Sequence, residues 1–196
     1  MTTNSTVADI WRPAEKSQAL LYNISLILGG SVFIALSAQF AIGWPVPFTL
    51  QTFAVLMLGA LFGAKLGSMS VGLYLLEGLS GLPVFAHWRG GLAVILGPTG
   101  GFLIGFLAAV YITGFLAEMG WDRRFITTIL AMLAGNILIY TFGIMHLTHL
   151  IGFQQALAVG LYPFIAGAVA KIVFAAALLP AAWRLLSHWG ITLRKE

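Results

Sequence analysis

Six stretches of nearly unbroken apolar residues divide the chain, at roughly 20–42, 48–63, 67–82, 98–119, 125–148 and 154–187. Uncharged runs near 20 residues predict transmembrane helices. The second and third runs are short, because 16 residues span only ~24 Å of helix. They are split by Gly63-Ala-Lys65-Leu-Gly67, a small turn that carries a charge. Drawing 48–82 as one interrupted hairpin changes little. Pro45, Pro47, Pro83 and Pro98 fall in the links, where a missing N–H does least harm. Pro163, inside or at the start of the last run, predicts a kink or an unwound start there. The pattern predicts an all-α integral membrane protein of six transmembrane helices. Residues 1–19, with Asp9, Arg12, Glu15 and Lys16, form a polar N-terminal tail, and 20–196 form one membrane domain with a short C-terminal end.

Composition agrees with this reading. Of 196 residues, 60% are hydrophobic and 8% are charged, against about 25% charged in soluble domains. A soluble fold would lack the polar surface to cover itself. The first apolar run is too long for the core of a cleavable signal peptide. The net charge of +4 falls at segment ends, which excludes a basic patch for nucleic acid. With a cytoplasmic N-terminus and six spans, Arg12, Lys16, Lys65, Arg123, Arg124, Arg184, Arg194 and Lys195 all lie inside, and Arg89 alone lies outside. Eight against one obeys the positive-inside rule, so both termini are predicted cytoplasmic. Cysteine is absent, which excludes disulfides and thiolate chemistry.

Glycines recur at spacing four, as Gly59, Gly63, Gly67 and as Gly97, Gly101, Gly105, with Ser31 and Ala35 similar on the first helix. Such spacing lets membrane helices approach closely, and packing within the chain is the expected use.

Lys171 is the outstanding polar residue. It sits mid-way along an otherwise uncharged run from Leu157 to Leu179. A buried membrane charge costs at least ~2.5 kcal/mol and marks a cavity or a partner. Lys171 lies 13 residues from Arg184, or ~20 Å of helix, which places it in the outer half of the bilayer. Gln51 and Glu77 fall near outer helix ends, and Trp88, Arg89 and Gly90 lie in an outer loop. With Lys171 these are the candidate ligand-binding residues, converging on one outward-facing pocket for a carboxylate-bearing ligand. A salt bridge between Glu77 and Lys171 is the structural alternative. Asn136 is expected to make an interhelical hydrogen bond. His146 and His149 read as interfacial, since no third ligand accompanies them. No metal or cofactor site is expected. No nucleotide-binding or hydrolase motif occurs, so an enzyme is not expected.

Three stretches carry a resemblance: Pro45-Val-Pro-Phe-Thr-Leu-Gln-Thr52, Gly81-Leu-Pro-Val-Phe-Ala86 and Gly97-Pro-Thr-Gly-Gly-Phe-Leu-Ile-Gly105. In order and spacing, over about 20–187, the chain resembles the BioY family, the biotin-binding S-components of energy-coupling-factor transporters. The resemblance implies biotin uptake at the plasma membrane, with a T-component membrane protein and two ATPase subunits as partners. It also implies that some members act alone. A related vitamin or a biotin precursor is the alternative ligand. By resemblance, small residues of the first helix (here Ser31 and Ala35) meet the T-component. Two positions depart from the family pattern. The last helix usually carries Gly-Asp-x-x-Lys, whereas this chain has Gly167-Ala168-Val-Ala-Lys171. Arg89 stands where some members have a ligand-contacting asparagine before the Gly90-Gly91 pair.

Overall fold

A computed structural model describes residues 6–188; Arg194 and Lys195 lie outside them. The described chain is helical apart from one small hairpin. Its order is α1 (Val7–Ile10), α2 (Lys16–Gln39), β1 (Ala41–Ile42), β2 (Phe48–Thr49), α3 (Gln51–Leu79), α4 (Leu92–Leu96), α5 (Gly100–Glu118), α6 (Phe125–Ile151), α7 (Phe153–Gly160) and α8 (Ile165–His188). Five helical stretches are long and apolar enough to cross a membrane, the last counted as Phe153–His188.

The second of the five, α3, is two helices. Gly63 has φ 80° and ψ 178°, which no helix contains. The chain reverses there: a Cβ on Gly67 would lie 3.3 Å from the Cα of Gly59. In one straight helix those residues would stand ~12 Å apart. Gln51 likewise meets Tyr74, 23 residues on. The arms 51–62 and 64–79 therefore run antiparallel, and the short paired runs of the sequence are this hairpin. Positive φ explains the glycine at the turn. Glu118, at the end of α5, accepts the first free N–H of the returning arm, from Ala64, at 2.8 Å. That satisfies a donor left over by the helix start.

Of the other glycines of the four-residue series, Gly97 ends α4 and the rest face neighbouring helices. Gly59 meets α5 at Val110 and Gly114, while Gly101 and Gly105 meet α6 at His146 and Ile139. Packing within the chain is thus their observed role. Ser31 of α2 likewise packs within the chain. It is fully buried and donates its hydroxyl to the Glu77 carboxylate.

Other differences from the sequence reading are local. The link before α3 pairs Ala41 with Thr49 and Ile42 with Phe48, antiparallel, so the fold is not purely helical. Two residues per strand are too few to show a period of two. The expected polar tail contains α1, where Thr6 donates from its N–H and its hydroxyl to Asp9, and Ala8 is buried. Pro163 sits in a 3-10 turn, Tyr162–Phe164, that separates α7 from α8. Pro180 stands inside α8. At the far end from β1 and β2, the loop between α5 and α6 is tied to α8. Trp183 donates its indole N–H to the buried Asp122, and the Arg123 guanidinium lies 4.7 Å over the Trp183 ring.

Candidate functional site

A cleft of about 610 Å³, counted to its open mouth, lies among β2, the start of α3, the loop before α4, and α5, α6 and α8. Its concave wall is mainly apolar with a few polar groups, the kind of lining that small-molecule sites use. Phe85, Phe102, Phe106 and Phe164 supply much of its wall.

Lys171 of α8 reaches into it. Its Nζ donates to the Thr49 carbonyl at 2.6 Å and to Thr52 Oγ1 at 3.0 Å, and sits 4.2 Å from the Phe48 ring centroid. The motif that the sequence placed in an outer link thus supplies the lysine's partners. Among the described residues no carboxylate pairs with Lys171. The expected alternative, a Glu77 salt bridge, is replaced by the Glu77–Ser31 hydrogen bond between α3 and α2. The cation is held by neutral oxygens and an aromatic face, and among the described residues two oxygens accept from its three N–H donors.

Gln51 lines the cleft but is itself tethered. Its Nε2 donates to the Tyr74 hydroxyl at 2.6 Å, and its Oε1 accepts from the Thr49 hydroxyl at 3.1 Å. Arg89 also lines the cleft, half-buried. It donates from Nε to the Ala86 carbonyl and stacks 5.2 Å from Trp44. The loop around it is tight: Phe85 and Arg89 exchange both backbone hydrogen bonds, and His87 and Trp88 take positive φ. Gln39 of α2 staples that loop. It donates to the Val84 and Phe85 carbonyls and accepts from the Trp88 N–H.

The structure thus brings Lys171, Gln51 and Arg89 to one cleft and leaves three sequence candidates off its lining. Glu77 is bonded to Ser31. Trp88 is 68% exposed. Gly90 fits under a backbone, where a Cβ would stand 2.2 Å from the Leu82 carbonyl. Asn136 bonds the Met132 carbonyl of its own helix, not a neighbouring helix as expected. His146 holds the Gly97 carbonyl at 3.0 Å, tying α6 to the start of α5. Sequence reasoning missed Thr49, Thr52 and Tyr140. Tyr140 lines the cleft and packs edge-on against Phe102. An uncharged residue in an apolar run gives no signal, although Thr49 and Thr52 lie within the first motif.

The model of the BioY family matches residues 8–188. A probable biotin transporter BioY from Pyrococcus horikoshii is 41% identical over 160 residues, 79% of this chain and 92% of that one. A biotin transporter BioY from Thermotoga maritima is 36% identical over 160 residues, 81% of this chain and 89% of that one. Among solved structures, the S-component for biotin from an ECF-type ABC transporter superposes with a TM-score of 0.76 at 29% identity. That likeness covers 87% of this chain and 95% of the other.

Proposed function

We propose a function from one premise: the chain belongs to the BioY family. It is a biotin-uptake protein, the substrate-binding S-component of an energy-coupling-factor transporter, and does no covalent chemistry. The observation that carries the reading is the cleft at Lys171, where an aromatic wall surrounds a cation that has no carboxylate partner among the described residues. Biotin fits that chemistry. Its fused rings suit the phenylalanines, its ureido carbonyl accepts a hydrogen bond, and its tail ends in a carboxylate. Lys171 binds the polar head through its ammonium, Arg89 holds the carboxylate or a carbonyl, and Gln51 and the outer loops close over the ligand.

The chain crosses the plasma membrane six times with both termini cytoplasmic. The reversal at Gly63 supports the count, because it turns one long helical run into two crossings. The eight-to-one distribution of cations supports the orientation. Residues 20–196 act as one membrane domain, which captures the ligand outside and releases it inside. A T-component membrane protein and two ATPase subunits drive that release, and uptake by the chain without them is the alternative mode. A biotin relative or precursor is the second ligand reading, favoured by Ala168, which offers no acceptor where the family carries aspartate.

Binding of tritiated biotin to the purified protein tests the proposal. Saturable binding, displaced by desthiobiotin more weakly than by biotin and not by thiamine or riboflavin, is expected. Preference for desthiobiotin favours the precursor reading, and absence of saturable binding refutes both.

A further inference from the structure

The tether on Gln51 changes what that residue does. Gln51 is 5% exposed and Tyr74 is fully buried. Both polar ends of the Gln51 side chain are engaged, one by Tyr74 and one by Thr49. The Gln51 backbone N–H also donates to Thr49 Oγ1 at 3.3 Å, so Thr49 is latched to Gln51 twice. The Thr49 carbonyl is in turn the 2.6 Å partner of Lys171. These contacts form one chain from the returning arm of α3, through the start of its first arm and β2, to α8.

β2 needs such support. It is two residues long and pairs only with the two residues of β1, and short isolated hairpins are marginal by themselves. Tyr74 does not line the cleft. It stacks edge-on against Phe85, which does, at 5.4 Å between centroids. A buried phenol needs a partner for its hydroxyl, and here the partner is Gln51.

We propose that Gln51 and Tyr74 form a positioning strut that fixes Thr49 and, through its carbonyl, the Lys171 ammonium in the ligand-binding geometry. The inference rests on the biotin reading of this cleft. It gives Gln51, besides its place on the cleft wall, a part in recognition through Thr49. It follows that Tyr74, which does not line the cleft, bears on affinity.

Tyr74→Phe tests the strut, because it removes only the hydroxyl and keeps the ring against Phe85. Two quantities are measured on the purified full chain: biotin affinity, and hydrogen–deuterium exchange of the ligand-free protein. The expected result is about tenfold weaker binding, with faster exchange confined to residues 45–52. Unchanged affinity overturns the proposal. So does weaker binding with unchanged exchange at 45–52, or with exchange raised equally across all helices, which marks general loosening. Should Tyr74→Phe fail to fold, Thr49→Val cuts the same chain at its other end while keeping the carbonyl, and the same outcomes apply. If the wild-type chain does not bind biotin, the functional reading falls, and the exchange measurement still decides the strut.

Discussion

Replacing Lys171 by methionine deletes the ammonium and keeps a flexible side chain of similar length. Two effects follow, and they point in different directions. In the ligand-free protein the change removes the hydrogen bonds to Thr49 and Thr52, but it also removes a cation that no carboxylate among the described residues balances. Replacing a buried charge by an apolar group of similar volume is often neutral or stabilising. The ligand-free unfolding temperature should therefore hold or rise. Ligand binding should suffer, because a hydrogen bond from a charged donor is worth roughly 1.5–3 kcal/mol. That corresponds to about 10- to 150-fold in Kd. Radioligand binding in detergent gives the affinity, and thermal unfolding without ligand gives the stability. A Kd within threefold of wild type would remove Lys171 from the ligand site. A large fall in ligand-free stability would show that the lysine is chiefly structural.

Arg89→Ala should weaken biotin binding about tenfold while the fold is kept, since its own bonds are to a loop carbonyl and an exposed ring; unchanged affinity in the same binding assay would exclude it as a ligand contact. Gly63→Val places a branched side chain at positive φ, 2.5 Å from Glu118 Oε1, and should cost at least ~2 kcal/mol. Gly72→Ala, with open space around the added methyl, is the control, and thermal unfolding compares the two. Burial pushes the Asp122 carboxyl up to about 6 from its ordinary 3.8. Between those values the folded chain keeps the proton and the unfolded chain does not. Its contribution to stability therefore rises as pH falls from about 6 to about 4, by up to ~3 kcal/mol, and above pH 6 the cost of burying the charge is fully present. Asp122→Asn should remove this part of the slope in unfolding temperature between pH 7 and pH 5, and an unaltered slope would refute the assignment.

The long helices were legible because bilayer thickness forces uncharged runs of a given length, and charges mark their ends. Lys171 was legible for the same reason, being a lone charge mid-way along the stretch from Leu157 to Leu179. Gly63 announced a turn, since a small, charged break interrupts an apolar stretch too long for one crossing and too short for two ordinary ones. What stayed hidden depends on pairings between distant residues. Nothing in the sequence tells Glu77 to meet Ser31, 46 residues away, instead of Lys171. Gln51 reads as a ligand group until Tyr74 is found beside it. The strands at 41–42 and 48–49 were invisible because they are set by the closing of the link and not by a pattern of alternation. Pro180, inside α8, left no mark either, because a proline in a packed membrane helix makes no break in hydropathy.

The reversal at Gly63 also has an electrical consequence. The arm 51–62 is ~18 Å long, and its first residues frame the cleft. With the Gly63 turn set at the inner boundary of a ~30 Å hydrocarbon layer, as the proposed orientation has it, a seated ligand would lie recessed by the remainder. An anion in the cleft would then have crossed about two fifths of the membrane potential, which at 100 mV would oppose it by roughly 1 kcal/mol. Affinity in sealed vesicles should accordingly weaken severalfold when the interior is made negative, so the depth of one glycine turn sets how strongly voltage is felt at the binding step.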